Sequence, residues 1–398
     1  MNDSLVILGR QPALGIAELE SLYGAHNVRL VGREAARIHR EPGTITFERL
    51  GGAMKLCAIL TTLHTPAWHD VQRFLQQSAS TYAAQLPDGK IQLGLSVYDM
   101  TVSPQQIMAS GLTAKKALRA LSRSVRLIPN NEQALNSAQV LHNHLTGTTG
   151  IELVFIRDGQ SIICAKTVAV QDITAYTLRD RGRPKRDTRV GMLPPKLAQT
   201  LINLASGQEQ PSATPGKTKR VLDPFCGTGV VLQEALLMGY DVLGTDLEPR
   251  MVEYSSANLQ WLGERYKINQ QYLLAIGDAT DFYWEQPVDL VACETYLGQP
   301  FNTFPGIEKV EQVRGTCNLI IERFLRNIGT QIKSGTRLCV AVPAWQQKPG
   351  RFIHLPFLDH LDKLGYNRLS FEHVRTEDLV YYREEQTVGR ELLVITRK

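Results

Sequence analysis

Val221-Leu222-Asp223-Pro224-Phe225-Cys226-Gly227-Thr228-Gly229 is the stretch on which the reading of this chain turns. An apolar strand ends in an acid, a glycine loop follows, and residues 230–238 continue as an apolar helix. Glycine lets the backbone approach a ligand closely and adopt conformations closed to other residues. At the carboxyl end of a first strand, such a loop is where open α/β sheets bind nucleotide-like ligands. A dinucleotide fingerprint needs a third glycine, for close helix packing, where this chain has Leu232. The lysine of a phosphate-binding P-loop is missing as well. A purely structural glycine turn is the plainest alternative.

The flanking sequence predicts a doubly wound sheet. Strand-like runs fall at 220–223, 241–245, 272–275, 288–292, 337–342, 368–374 and 392–396. Helical patterns separate most of them, including 308–332, and another precedes them at 197–204. This alternation specifies an α/β fold with a mainly parallel sheet. No helical pattern divides the last two strands, so an antiparallel last strand is expected. Residues 206–219, rich in Ser, Gly, Pro, Gln and Lys, read as a mobile loop. Asp246 closes the second strand, where a carboxylate can receive both hydroxyls of a ribose. Gly277-Asp278-Ala279 follows the third and places Asp278 to accept an adenine amino group. Either acid alone fits a helix cap or loop; in series at successive strand ends they point to a ligand.

The first half has a different texture. Strands are expected at 5–8, 28–31 and 45–47, with helices over 13–23 and 51–63. Beyond them, 91–97 and 124–127 read as strands and 114–121 and 134–145 as helices. Residues 151–156 and 161–170 form a hairpin turned at Asp158-Gly159. The expected division is an α+β module over 1–70, a second over 71–178, and the doubly wound domain over 179–398.

Composition narrows the classes. With 43% hydrophobic and 21% charged residues, the chain is that of an ordinary globular protein. No apolar run approaches the ~20 residues that span a bilayer, and the N-terminus lacks a secretory pattern, so a cytoplasmic protein without a membrane partner is expected. Six cysteines, with no Cys-x-x-Cys pair, fit neither a zinc site nor a disulfide framework, so no metal is expected. The net charge of +5 permits a polyanionic partner without demanding one. Basic residues gather over 29–40, 115–126 and 179–189. A solvated helix face explains the second group as well as RNA does; the third lies beside the glycine-loop domain. The run Tyr381-Tyr382-Arg383-Glu384-Glu385-Gln386-Thr387-Val388-Gly389-Arg390 ahead of the last strand sets aromatics beside arginines that could stack on bases and contact phosphates, but fits a packing loop somewhat better.

Asp223-Pro224-Phe225-Cys226-Gly227-Thr228-Gly229, Gly244-Thr245-Asp246 and Gly277-Asp278-Ala279 resemble the cofactor motifs of amino-group methyltransferases. Upstream, Arg181-Gly182-Arg183-Pro184-Lys185-Arg186-Asp187 and Gly191-Met192-Leu193-Pro194-Pro195-Lys196-Leu197-Ala198 resemble one branch. That branch is the tRNA guanine-N2-methyltransferase family, whose members carry an RNA-binding THUMP domain ahead of the catalytic domain. The likeness covers residues 180–300 well and the expected THUMP region, 75–175, faintly. It implies a Rossmann-like methyltransferase domain using S-adenosylmethionine, with RNA, and tRNA in particular, as partner. Asp223, Pro224, Cys226, Gly227, Gly229, Asp246, Asp278 and Ala279 would hold the cofactor. A carboxylate at Asp223 suits the cationic methionine end of that cofactor better than a pyrophosphate. A helix beginning near Met192-Leu193-Pro194-Pro195 tolerates prolines in its first turn and can pack along the pocket. Arg181, Arg183, Lys185 and Arg186 offer phosphate contacts; a linker of solvated charges is the alternative.

The fourth strand departs from the family. Members end it with Asp-Pro-Pro-Tyr or Asn-Pro-Pro-Tyr, whose oxygen accepts from the target amine and whose aromatic stacks on the base. Here Cys293-Glu294-Thr295-Tyr296 stands instead. With Tyr296 aligned to the aromatic, Cys293 takes the acid's position and Glu294-Thr295 replace the prolines. Glu294 and Tyr296 remain the candidate catalytic residues, Glu294 accepting from a slightly shifted position and Tyr296 stacking on a flipped base. A changed target, and a domain that keeps the cofactor fold without catalysis, stay open. So does a DNA amino-methyltransferase, which shares these motifs.

Overall fold

The structure is a computed structural model that describes residues 3–187, 193–208, 218–299, 301, 305–348 and 350–398. The chain divides into two units. The first takes Met1–Pro12, His26–Glu48 and Gly52–Ile173; the second takes Ala13–Ala25, Arg49–Gly51 and Thr174–Lys398. The expected border at 178 falls close to the division at Ile173 and Thr174, whereas the one at 70 falls within the first unit. Residues on both sides of position 70 share one sheet, and the helix α1 (Pro12–Tyr23) packs with the second unit.

In the first unit the strands are β1 (Ser4–Leu8), β2 (Val28–Val31), β3 (Ala35–Ile38), β4 (Ala53–Leu63), β5 (Ile91–Tyr98), β6 (Val125–Leu127), β7 (Gly150–Asp158) and β8 (Ser161–Val170). They form one eight-stranded sheet in the order β2-β3-β1-β4-β8-β7-β5-β6. Helices α2 (Trp68–Gln77), α3 (Ala79–Gln85), α4 (Pro104–Ala120) and α5 (Ser137–His142) complete the unit. The expected hairpin is present, with Asp158 opposite Ser161. Two expectations fail. Residues 45–47 form no strand: Ile45 and the residue after it lie between the 3-10 turns Pro42–Thr44 and Phe47–Arg49. Residues 51–63, rich in good helix formers, run instead as β4 between β1 and β8. Pairing on both sides overrides helix propensity. Lys55 on β4 is buried, ion-paired to Glu152 of β7, and donates to Leu135 O at 2.8 Å.

In the second unit α1 is joined by α6 (Ile173–Arg181), α7 (Pro195–Ser206), α8 (Val230–Leu237), α9 (Pro249–Tyr266) and α10 (Ile307–Gly329). Its strands are β9 (Arg220–Asp223), β10 (Asp241–Asp246), β11 (Tyr272–Ile276), β12 (Leu290–Glu294), β13 (Arg337–Lys348), β14 (Arg351–Ile353), β15 (Tyr366–Arg368), β16 (Val380–Tyr381) and β17 (Val388–Arg397). The sheet order is β11-β10-β9-β12-β13-β17-β15, with β14 on β13 and β16 on β17. Strands β9 to β13 run parallel and β17 antiparallel, as the sequence predicts. One face packs under α10, around Leu222, Val291, Cys293, Val340, Ile321 and Phe324. The opposite face takes α7. The strand expected over 368–374 stops at Arg368, because the N–H groups of Glu372 and His373 turn away to the Glu20 carboxylate of α1, at 2.5 and 3.0 Å.

Polar side chains lock α6, α7 and α8 together. Buried Glu234 on α8 accepts from Arg179 Nε of α6 at 2.7 Å and from Gln199 Nε2 of α7 at 2.9 Å, and Tyr176 donates to Gln199 at 2.7 Å.

At the far end of the sheet, Glu391 of β17 is buried between His354 Nδ1 and Arg368 Nη2, each at 2.6 Å. Hydrogen bonding to Glu391 raises the His354 pKa, while Glu391, despite burial, is held below its ordinary value by His354 and Arg368. A raised histidine contributes stability that is complete below its unfolded pKa and lost as pH rises through the folded one; a depressed glutamate loses its contribution as pH falls. The pair thus supports the fold most strongly between the ordinary values of 4.5 and 6.5. Melting His354→Gln against wild type should give the largest difference in that window and a shrinking one toward alkaline pH. A difference independent of pH contradicts the pairing.

Candidate cofactor and base site

The glycine loop owes its shape to two residues with positive φ, Gly227 at 51° and Gly229 at 81°. Gly229 caps α8 in the left-handed conformation, so the first N–H groups of that helix open toward the loop. A Cβ on Gly227 would meet nothing closer than Phe225 O at 4.0 Å, which leaves a cradle open over the loop. The loop is held from beneath. Cys226 N donates to Thr245 O at 2.9 Å, and Ser255 Oγ of α9 donates to Gly227 O at 2.8 Å. Asn258 Nδ2, one turn further along α9, donates to Thr228 O at 2.9 Å.

Three acids meet on one face at the carboxyl ends of the strands. Register puts Asp223 beside Gly244, and Asp246 lies two residues on; Glu294 stands two residues beyond Ala292 on the neighbouring strand. Asp223 is 2% exposed, and its Oδ1 accepts from Phe225 N at 3.2 Å. No cation pairs with it among the described residues. Burial pushes its carboxyl pKa well up, and the charges of Asp246 and Glu294 push it further. A desolvated, uncompensated acid of this kind is stabilised by a cationic ligand. Asp246 Oδ2 accepts from Gly227 N at 2.8 Å and Oδ1 from Glu248 N at 3.0 Å. Each of its oxygens keeps capacity for a further donor such as a hydroxyl. Asp278 Oδ1 accepts from Thr280 N at 2.9 Å at the loop after β11. The side chains of Cys226 and Ala279 are buried, 4% and 3% exposed, so these two and Pro224 shape the pocket through the backbone.

The fourth strand corrects the alignment. Cys293 is fully buried on the α10 face, packed in the apolar core, and burial pushes its thiol pKa well up. It cannot stand where an acceptor for a substrate amine is needed, and a buried thiol is no nucleophile. Strand alternation points Glu294 to the opposite face, which it shares with Asp223. Glu294 is ion-paired to Arg390 of β17. Thr295 N and Oγ1 both donate to Ala341 O, at 3.0 and 3.2 Å, and fix the chain just past the strand. Tyr296 is 47% exposed and follows directly.

Upstream, the basic segment divides. Arg181, Lys185 and Arg186 are exposed, whereas Arg183 is 3% exposed, so it is no phosphate contact. Its guanidinium has no hydrogen bond among the described residues, and burial lowers its pKa. Lys185 is tied to the glycine loop through Asn258, which accepts from its N–H and donates to its carbonyl, both at 2.9 Å. Asp187 pairs with Arg250 of α9 at 3.1 Å. Gly191 and Met192 lie outside the described residues, as does most of the expected loop over 206–219. Pro195 opens α7, where a missing N–H costs nothing. The sequence did not single out Ser255 or Asn258, and it offered Arg390 only as part of the 381–390 run, not as a partner of Glu294. The first two sit i, i+3 on the helix after the second acidic strand, and Arg390-Glu391 interrupts an apolar strand; both patterns are visible signals in hindsight.

Of the basic clusters in the first unit, Arg29 pairs with Asp158 at 2.6 Å, Arg33 with Asp99 at 2.9 Å and Arg37 with Asp3 at 2.5 Å. That group is thus largely neutralised in place. Among the described residues no helix is long and apolar enough to cross a membrane, and no cluster of acids, cysteines and histidines is placed to hold a metal.

Residues 215–352 match the family described as a methyltransferase domain. Over 153 residues the chain is 33% identical to a tRNA (guanine(10)-N2)-dimethyltransferase of Methanothermobacter thermautotrophicus, covering 38% of this chain and 39% of that one. Over 88 residues it is 39% identical to the Pyrococcus abyssi enzyme of the same name, covering 22% of each. The match thus spans well under half the length of these relatives. TrmN from Thermus thermophilus aligns over 100% of both chains with a TM-score of 0.52 at 17% identity. A possible methylase from Clostridium difficile aligns over 98% and 97% with a TM-score of 0.51 at 10% identity. The second unit has the Rossmann-like methyltransferase fold.

Proposed function

We propose that this chain is a cytoplasmic S-adenosylmethionine-dependent RNA methyltransferase that modifies an exocyclic base amine of tRNA, guanine N2 in particular. One observation carries the reading: Asp223, Asp246 and Glu294 share one face at the carboxyl ends of β9, β10 and β12, around an open glycine loop. S-adenosylmethionine supplies a methyl group activated on a positively charged sulfur. Asp223 offers the negative charge that its cationic end needs, Asp246 receives ribose hydroxyls, and Asp278 the adenine amine. Glu294 accepts a hydrogen bond from the target amine and draws off the proton released as the new N–C bond forms. Tyr296 is exposed enough to meet the base. Arg181, Lys185 and Arg186 hold phosphates beside the pocket, and the first unit grips the RNA in the manner of a THUMP domain. The resemblance to tRNA (guanine(10)-N2)-dimethyltransferases over 153 residues supports this choice of substrate.

The test is incubation with methyl-labelled S-adenosylmethionine and unmodified total tRNA, followed by nucleoside mass spectrometry. Labelled N2-methylguanosine is expected. Label confined to DNA, or cofactor binding with no transfer to any nucleic acid, overturns the reading in favour of a DNA enzyme or a binding protein.

Gly229→Ala probes the cofactor loop separately. Its new Cβ would lie 2.9 Å from Ser255 Oγ at a φ of 81°. A left-handed non-glycine residue costs ~1–2 kcal/mol, so affinity for S-adenosylmethionine should fall about tenfold by calorimetry. Unchanged affinity means that the ligand does not rest on this loop.

A further inference from the structure

Glu294 and Arg390 lie two strands apart, with β13 between them. Register sets Glu294 opposite Ala341 and Arg390 opposite Pro343, so both side chains rise on one face and meet above two small residues. Arg390 is buried and Glu294 nearly so: their side chains are 7% and 14% exposed. Arg390 donates through Nε to Glu294 Oε1, and its guanidinium lies 6.0 Å from the centre of the Tyr381 ring. Among the described residues Glu294 Oε2 takes no hydrogen bond. The charged groups facing Glu294 are Arg390 from β17 and Asp223 from β9; Cys293 on its own strand is a neutral thiol turned to the other face.

That setting poses a chemical problem. Burial favours the protonated form of Glu294. A protonated acid cannot take up the amine's proton. Arg390 supplies the opposing charge, and its Nε–H to Oε1 also orients the carboxylate. We propose that Arg390 is a positioning residue for methyl transfer: it holds Glu294 as an oriented carboxylate, with one oxygen engaged and the other left for the target amine. Where the resembled family uses two prolines to stiffen the end of this strand, this chain uses Thr295 on Ala341 and Arg390 on Glu294. The inference rests on the proposed amine transfer and deepens it.

The test uses the full chain with Arg390→Gln, Arg390→Lys and the double variant Glu294→Gln/Arg390→Gln. It reads single-turnover transfer to tRNA against pH, KM for tRNA, S-adenosylmethionine affinity and the melting curve. Arg390→Gln should lower the rate about 10²-fold near neutral pH while leaving cofactor affinity within about twofold. With the cation gone, the Glu294 pKa rises, so the acid limb of the profile should move to higher pH and part of the rate should return with alkali. Arg390→Lys keeps the charge and should place the limb between the two. The double variant leaves no buried unpaired charge, and should fold and react at the rate of Glu294→Gln alone. An Arg390→Gln protein that folds with an unmoved limb and full rate overturns this inference while the methyltransferase reading stands. A wild-type protein that transfers no methyl group overturns both. A double variant slower than Glu294→Gln alone shows that Arg390 acts other than through Glu294, and overturns the proposal too.

Discussion

Glu294→Gln should lower the rate of methyl transfer to tRNA by about 10²- to 10⁴-fold, the range for a positioned proton acceptor, while S-adenosylmethionine binds almost as before. The amide keeps the shape and one acceptor oxygen, so the base can still be seated. It cannot take up the proton that the amine loses. The loss should therefore fall on kcat and spare KM, the signature of an interaction made only in the transition state. Gln also leaves Arg390 buried beside a neutral partner, so a melting curve must accompany the kinetics. If transfer in a folded Glu294→Gln protein stays within a few-fold of wild type, the proton leaves by another route and Glu294 is not the acceptor.

The second large effect concerns the fold. Asn203 of α7 ties together three separate pieces of chain in the second unit. Its Nδ2 donates to Glu18 Oε1 of α1 at 2.7 Å and to Arg49 O at 2.8 Å. Its Oδ1 accepts from Arg49 Nε and Nη2, at 3.1 and 2.9 Å. Glu18 Oε1 also accepts from Gly51 N at 2.9 Å, and all of these groups are buried. Asn203→Leu removes a side-chain partner from a buried guanidinium and from a buried carboxylate together, leaving Gly51 N on Glu18 and the Tyr240 hydroxyl, at 3.4 Å, on Arg49. Breaking such a network costs ~3–5 kcal/mol, because uncompensated charge stays inside. Urea unfolding of the second unit should shift to a clearly lower midpoint. The triple variant Glu18→Met/Arg49→Leu/Asn203→Leu should recover most of that loss, since apolar packing replaces buried ions at little cost. A single variant as stable as wild type shows that the knot contributes nothing net.

Both predictions rest on features that differ in how far the sequence reveals them. The glycine loop and the acids at 223, 246 and 278 are legible because each strand end is coded locally: an apolar run, an acid, then glycine or a helix. The parallel order follows from the alternation. At the fourth strand, matching Tyr296 to the family's aromatic sets Cys293 at the acid's position and leaves Glu294 one residue beyond it. Strand parity instead buries Cys293 in the core and turns Glu294 toward Asp223. A period of two makes a one-residue slip exchange the faces completely. The pairing of Arg390 with Glu294 stayed hidden because the two lie 96 residues apart. The helix expected at 51–63 failed for a similar reason: its Ala, Met, Lys and Leu favour a helix, but β1 and β8 compete for its backbone and Glu152 for Lys55. The placement of α1 with the second unit depends on Glu18, Glu20 and Ser21, ordinary residues for a solvent-facing helix, which meet Asn203, the Glu372-His373 backbone and Arg337 instead.

The central claim, that the acid-lined pocket methylates the 2-amino group of a guanine, has a direct test. A tRNA transcript is labelled with wild-type protein to find the modified position, then rebuilt with inosine at that position alone. Inosine keeps the ring and O6 and lacks only the 2-amino group. The account predicts that label on the inosine transcript falls to background while the transcript still competes for binding. Undiminished label on inosine would contradict it, placing the methyl group on another atom and removing Glu294 from the role assigned here.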